Sequence, residues 1–195
     1  KLFGYAAPGN LQIGLTTAYS PAGNQFFGNI ANVQFYSTNL TASEVAQLYQ
    51  GGVFGLPLAR GLVAWYPLLG NANDYSGNGN NGVSYNVTYT LQSIASPYLL
   101  YSFGGSGVEF NGQNSYIYNS SYAPLNLQPN FTIAAMVYLN SYSYPFSMIY
   151  TEGYNEGVPS STLDFGVNNS GNLYAYAWYA KTNIGYGFKS KLKVP

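Results

Sequence analysis

Residues 131–139 form a stretch that reads Phe131-Thr132-Ile133-Ala134-Ala135-Met136-Val137-Tyr138-Leu139. It is rich in β-branched and aromatic residues, and turn-forming Asn130 and Asn140 bound it. Its continuous apolar part, Ile133 to Val137, is far shorter than the roughly 18 residues that a membrane helix needs. The stretch therefore predicts a strand in a folded core, and no membrane span is expected in this chain.

Similar short runs rich in Tyr, Phe, Val, Ile and Thr recur along the 195 residues, separated by clusters of Gly, Asn, Pro and Ser. Many short strands with turn signals between them are typical of a sandwich or a barrel, so the sequence predicts an all-β fold. The predicted strands are Leu11 to Leu15, Gly28 to Tyr36, Gly61 to Pro67, Gly107 to Phe110, Tyr116 to Tyr118, Phe131 to Leu139, Ser147 to Thr151, Thr162 to Val167 and Asn172 to Ala180.

One segment departs from this pattern and predicts a short helix at about residues 41–50. Thr41 and Glu44 have the spacing of a capping box, and Gly51 is expected to end the helix in the left-handed conformation. Val45, Leu48 and Tyr49 would share one helix face. That face is expected to dock on the sandwich.

Charge is scarce: the chain has six basic and six acidic residues, no His and no Cys. Nucleic acid is a poor candidate partner because its binding needs a basic patch, and the one cluster is Lys189, Lys191 and Lys193. On one strand face, these lysines are more typical of a solvated, guarded sheet edge. Without His or Cys, a His-based triad or a thiolate mechanism is excluded.

Three passages carry a family likeness when they are taken together. They are Gly61-Leu62-Val63-Ala64-Trp65-Tyr66-Pro67-Leu68 with residues 73–82, then Gly107 to Gly112 with Leu125-Asn126-Leu127 and Asn130 to Leu139, and finally Gly28 to Tyr36 with Ser43 to Tyr49. They resemble the opening strand and loop, the central strands, and the closing strand and helix of the laminin G-like branch of the concanavalin A-like lectin-glucanase superfamily. The resemblance implies a jelly-roll sandwich with one short helix.

The order of these passages departs from the family, because the closing motif comes first. Residues 1–56 resemble the C-terminal part of one laminin G-like domain, 57–60 a linker, and 61–195 the N-terminal part of a following or complementing domain. The chain is then either a piece of a tandem array or a permuted domain closed within one chain or between subunits. In both cases the family pattern lacks a strand or two, and unpaired edges would invite a partner strand.

The resemblance also extends to glycoside hydrolases and calcium-binding domains, but the residues support neither activity. The hydrolases commonly carry a Glu-x-Asp-x-x-Glu strand motif, which is absent, and Glu152 and Glu156 lie in a Gly-punctuated stretch. Calcium needs several carboxylates, whereas Asp74 stands among turn formers that explain it structurally. We therefore expect no enzyme activity, and no metal or other cofactor is assigned.

Two residue sets suggest contacts outside the cell. Tyr174, Tyr176 and Trp178 alternate along one strand and would form a carbohydrate-binding platform if exposed, or part of the core if buried. Glycosylation sequons begin at Asn39, Asn86, Asn119, Asn130 and Asn168.

With the scarcity of charge, these features predict an extracellular or cell-surface location. The function expected first is a non-catalytic structural or adhesive module of a cell-surface or filament-forming glycoprotein. Its partners would be identical subunits or tandem copies, joined by strand or half-domain complementation. The alternative is a lectin-like carbohydrate-binding module of a larger surface protein, for which surface glycans are the partners.

Overall fold

The structure, a computed structural model, describes residues 11–15, 24–51, 55–90, 107–119, 125, 130–141, 145–152, 162–179 and 184–193. The predicted all-β fold with one short helix is confirmed. The helix is α1 (Ala42–Gly51). The strands in the described part are β1 (Gln12–Ile13), β2 (Phe27–Tyr36), β3 (Leu62–Tyr66), β4 (Gly82–Tyr85), β5 (Thr88–Thr90), β6 (Gly107–Asn111), β7 (Tyr116–Asn119), β8 (Thr132–Leu139), β9 (Phe146–Glu152), β10 (Thr162–Asn168), β11 (Asn172–Tyr179) and β12 (Ile184–Lys193).

These strands form two antiparallel sheets in a sandwich arrangement, as expected for a jelly roll. The larger sheet has the order β12-β11-β10-β9-β1-β7-β4, so the lysine-rich β12 forms one of its edges. In the smaller sheet, β8 lies along one side of β2. On the other side of β2, β6 pairs with its first half and β3 with its second half. β5 pairs with β6 at the edge. Gly28 permits the close approach of β8, because a Cβ atom there would lie 2.0 Å from the carbonyl oxygen of Tyr138.

The core lies between the two sheets and is built around aromatic contacts. Phe35 of the smaller sheet meets Tyr66 of the same sheet edge-on at 6.2 Å between ring centroids, and Tyr150 of the larger sheet at 4.8 Å. All three side chains are fully enclosed. Such pairs add about 0.5–1.5 kcal/mol each to the free energy of unfolding, beyond the area that they bury.

The two segments that the family likeness separates share this core. β1, β2 and α1 come from residues 1–56, and the other strands come from residues 61–195. β1 lies between β7 and β9, and β2 pairs with three strands of the later segment. The connecting stretch also packs on β2, because Leu58 N donates to the Tyr36 hydroxyl at 3.1 Å. The tandem and the permuted origin of the motif order both stay predictions.

Helix α1 begins as predicted. Thr41 N donates to Glu44 Oε2 at 2.7 Å, and Glu44 N donates to Thr41 Oγ1 at 3.3 Å, which is the reciprocal capping box. The predicted role of Gly51 is wrong, since Gly51 is the last helical residue and does not have a positive φ. Tight docking of the helix is also not observed: none of its ten residues is buried, and Val45 and Tyr49 are 49% and 71% exposed.

Candidate functional site

The most conspicuous feature of the surface is an apolar groove beside β8. Among the described strands β8 pairs only with β2, which leaves its other edge open. A cavity of about 260 Å³ is lined by six consecutive residues of this strand, Thr132 to Val137. Side chains alternate between the faces of a strand, so a cavity over one face would be lined by every second residue. The cavity therefore reaches both faces of β8, and it also touches Asn32 and Gln34 of the paired strand β2.

The walls of this groove come from opposite sides of the sandwich. Helix α1 contributes Val45, Leu48 and Tyr49, and the larger sheet contributes Ile149, Phe165 and Leu173. Among the described strands, the smaller sheet ends at β8, whereas the larger sheet continues past β9 through β10, β11 and β12. No described residue that lines the groove carries a charge. The groove thus occupies the position of one further strand, with a helix above it and a sheet below it.

Polar contacts hold the helix at the rim of the groove. Arg60 donates through Nη2 to Glu44 Oε2 at 2.8 Å and also bonds Thr38 and the carbonyl of Asn39. The Arg60 guanidinium, helped by Thr41, lowers the pKa of Glu44 from 4.5 to about 2. The contacts anchor the first turn, while the apolar face farther along the helix overlooks the groove.

The polar side chains that line the groove are used within the fold. Asn32 has a φ of 51° at an irregularity in β2, and its Nδ2 donates to the carbonyl of Gly55 at 3.0 Å. Its Oδ1 accepts from Gln34 Nε2 and Trp65 Nε1, both at 2.8 Å. The Tyr36 hydroxyl donates to Gln34 Oε1 at 2.5 Å. An occupant of the groove would consequently meet apolar side chains and the β8 backbone.

The structure describes two of the three side chains of the predicted aromatic platform, Tyr174 and Tyr176. Tyr174 and Tyr176 lie on the face of β11 opposite to Leu173 and Ala177, which pack against the core. Their rings stack at 6.1 Å with an interplanar angle of 11°, and Phe146 extends the group with its ring 4.6 Å from that of Tyr174. Both tyrosines are half-buried. The side chain of Trp178 lies outside the described residues.

The five sequon asparagines differ in accessibility. Asn39, Asn86 and Asn130 are exposed, and Asn168 is half-buried. Asn168 also holds a turn, because its Oδ1 accepts from Ser170 N and Asn172 N at 3.0 Å each. Asn119 is fully enclosed at the end of β7. A glycan attached to Asn119 would have no room in this fold.

The Asp74 carboxylate accepts hydrogen bonds from its own loop and from strand β3. Oδ1 accepts from Trp65 N and Ser76 N at 2.9 and 2.8 Å, and Oδ2 accepts from Asn80 N and Ser76 Oγ at 2.9 Å each. Such a carboxylate fixes the turn between β3 and β4. In the described part of the chain, no group of three or more His, Cys, Asp or Glu side chains is placed to hold a metal ion.

Two other carboxyl groups are buried. Glu152 accepts from Leu125 N at 2.6 Å and from the Tyr150 hydroxyl at 2.5 Å, and burial raises its pKa. Burial also raises the pKa of Asp164, to about 6, and the nearby Thr151 hydroxyl offsets part of that rise. Glu152 pairs with Leu163, and Asp164 pairs with Thr151. Paired residues share a face and consecutive residues alternate between faces, so the two carboxyl groups lie on opposite faces of the larger sheet. They do not form a pair across a cleft, and Glu156 lies outside the described residues.

Comparison with known proteins adds no relative. No protein-family model, curated protein or solved structure matches this chain. Among the described residues, no helix is long and apolar enough to cross a membrane. The laminin G-like resemblance therefore stays a prediction, and the function is argued from the groove and the aromatic face.

Proposed function

We propose that this chain is a non-catalytic structural or adhesive module of an extracellular, cell-surface or filament-forming glycoprotein. It assembles by accepting a strand, or a half-domain, from an identical subunit along the open edge of β8. The observation that supports this proposal is the groove lined by the consecutive residues Thr132 to Val137. An added strand would pair with the β8 backbone and cover apolar side chains on both of its faces.

The chemistry of the groove favours a donor like this chain itself. A strand between the helix and the larger sheet must be apolar on both faces and free of charge. Strands β2 and β8 contain no charged residue, and only 6% of the whole chain is charged. When one copy donates and the next accepts, the contact is heterologous, and such contacts build open filaments unless the rotation closes a ring.

A lysine in the groove tests this proposal. Ala135 packs on the core side of β8 and lines the groove, so Ala135→Lys would place an ammonium group where the donated strand must lie. Burial of an unpaired ammonium costs several kcal/mol, so the concentration needed for assembly should rise roughly tenfold or more. Tyr138→Lys is the matched control, because Tyr138 lies on the same strand and is 55% exposed.

Electron microscopy and light scattering of the native protein and both variants give the readout, with circular dichroism to verify folding. Filaments or oligomers of the native protein that persist in Tyr138→Lys and are lost in Ala135→Lys support the proposal. A native protein that stays monomeric at every concentration contradicts it, as does normal assembly of Ala135→Lys.

The second candidate is the lectin-like carbohydrate-binding module. The rings of Tyr174 and Tyr176 stack on one another, and the ring of Phe146 lies beside them. This group favours the lectin candidate, because the apolar face of a sugar ring can pack on an aromatic ring. Gly187 stands next to Tyr176 in the register, and a Cβ atom there would lie 3.3 Å from the ring. The glycine thereby leaves that side of the ring uncrowded.

Retention on immobilised polysaccharides separates the two candidates. A lectin should lose retention in Tyr174→Ala and Trp178→Ala while its stability changes little. Tyr85→Ala is the matched control, since Tyr85 stacks on Tyr116 at 5.1 Å at the opposite edge of the same sheet. Unchanged retention in the first two variants, or an equal loss in the control, contradicts a binding platform on β11.

A further inference from the structure

A row of polar side chains crosses three neighbouring strands of the larger sheet. Gln12 of β1 pairs with Thr151 of β9, and Thr151 pairs with Asp164 of β10. Directly paired residues point to the same face with Cβ atoms about 5 Å apart. The three side chains consequently stand beside one another.

This row carries oxygen atoms that the fold leaves without hydrogen bonds. Gln12 Oε1, Thr151 Oγ1 and Asp164 Oδ1 are all enclosed, and among the described residues none of the three atoms makes a direct hydrogen bond. The Thr151 hydroxyl nevertheless lies close enough to the Asp164 carboxyl group to lower its pKa, so these two groups are neighbours in the row. Thr151 and Asp164 are each only 1% exposed. Native proteins pair nearly all of their buried polar groups, and three unpaired oxygens in one row are therefore unusual. An amide oxygen, a hydroxyl oxygen and a carboxylate oxygen are also ligands that hard cations prefer.

The charge of the row selects the kind of cation. Among the residues that the structure describes, Asp164 is the one acid in the row, because the side chain of the neighbouring Glu152 lies on the other face and accepts from Leu125 N and the Tyr150 hydroxyl. A monovalent ion beside one carboxylate leaves an enclosed site neutral, whereas a divalent ion leaves an unpaired positive charge away from water.

We propose that Gln12, Thr151 and Asp164 bind a sodium ion that joins strands β1, β9 and β10. The ion links the short β1 of the N-terminal segment to the later strands on one side of the sheet. This site is independent of the groove beside β8 and of the proposed assembly.

Thermal unfolding at constant ionic strength tests the site, with sodium chloride exchanged for choline chloride. A ligand that binds only the folded chain stabilises it by mass action, so the midpoint should rise by about 3–6 °C when sodium reaches ten times its dissociation constant. Asp164→Asn keeps the shape of the side chain and should abolish most of this rise. Thr151→Val should reduce it, and Glu109→Gln, which removes an exposed acid, should leave it intact.

Equal midpoints of the native protein in sodium and in choline overturn the proposal, and this comparison needs no variant. A sodium-dependent rise that persists undiminished in Asp164→Asn overturns it as well. Calcium chloride at the same ionic strength checks the charge argument: a larger rise with calcium, lost in Asp164→Asn, would overturn the assignment to a monovalent ion. Sodium-23 relaxation in the native protein and in Asp164→Asn supplies a direct readout of binding.

Discussion

Ala135→Leu should stabilise the isolated chain and weaken its assembly at the same time. Ala135 lies on the core side of β8, where the groove of about 260 Å³ has room for a larger side chain. Leucine adds three carbon atoms, which at about 0.8 kcal/mol for each buried methylene would contribute about 2.4 kcal/mol if they were fully buried. One side of the groove is open and Ala135 is itself half-buried, so we expect about 1 kcal/mol and a rise of roughly 2–4 °C in the unfolding midpoint.

Urea denaturation and light scattering measure the two effects on the same sample. Ala59→Leu is the matched control, because it adds the same atoms at an exposed turn before β3 and should change neither quantity. A lower stability for Ala135→Leu than for the control would show that the groove cannot take a larger side chain. Unchanged assembly in a stabilised Ala135→Leu would show that subunits do not join along β8.

Three further variants test individual contacts. Asn32→Ala should lower the free energy of unfolding in urea by about 3 kcal/mol, because it removes three hydrogen bonds of a buried side chain and a residue suited to positive φ. The exposed Asn86 has a φ of 50°, and Asn86→Ala should lower the free energy of unfolding by only about 1 kcal/mol. Equal losses would show that the hydrogen bonds contribute nothing. Glu44 has a pKa lowered from 4.5 to about 2, so its contribution to stability is complete above pH 4.5 and is lost as the pH falls through about 2. Carboxyl NMR should place its midpoint near 2 and higher in Arg60→Gln, and an unchanged midpoint in that variant would contradict the ion pair as the cause. Asp74→Asn should cost about 2 kcal/mol by turning an amide group toward backbone donors, while a chelator should leave the unfolding midpoint of the native protein unchanged. A midpoint that the chelator lowers in the native protein but not in Asp74→Asn would contradict this purely structural role.

Local sequence signals predict most strands because they depend on few neighbours. The run from Phe131 to Leu139 and the capping box at Thr41 and Glu44 are visible in the sequence, and both are confirmed by β8 and α1. Strands β4 and β5 are not among the predicted strands, and of β12 the sequence predicts only the edge that carries Lys189, Lys191 and Lys193. β4 and β5 are short, and β12 places Gly185, Gly187 and three lysines among its apolar residues, so its β propensity is weak.

The candidate sites depend on pairings between distant segments, which residue patterns do not specify. In the part of the chain that the structure describes, the groove exists because the smaller sheet ends at β8 while the larger sheet continues. Nothing in the β8 sequence shows which of its edges is paired. The row of Gln12, Thr151 and Asp164 requires the register of three strands that are far apart in the chain. The alternation of Tyr174 and Tyr176 placed them on one face, but the outward direction of that face follows from the packing of Leu173 and Ala177.

The pairing of β2 with β8 has a consequence for the newborn chain. Tyr36 pairs with Thr132 and Gly28 with Leu139, so β2 leaves the ribosome about a hundred residues before its partner along that side. At about 5–20 residues per second, this delay lasts roughly 5–20 s. During that time an uncharged strand, most of which is buried in the finished fold, has to remain soluble while other copies are being made beside it. Crowded synthesis should therefore favour pairing between neighbouring nascent chains, and slower production at low expression levels should give the higher yield of correctly closed sandwiches.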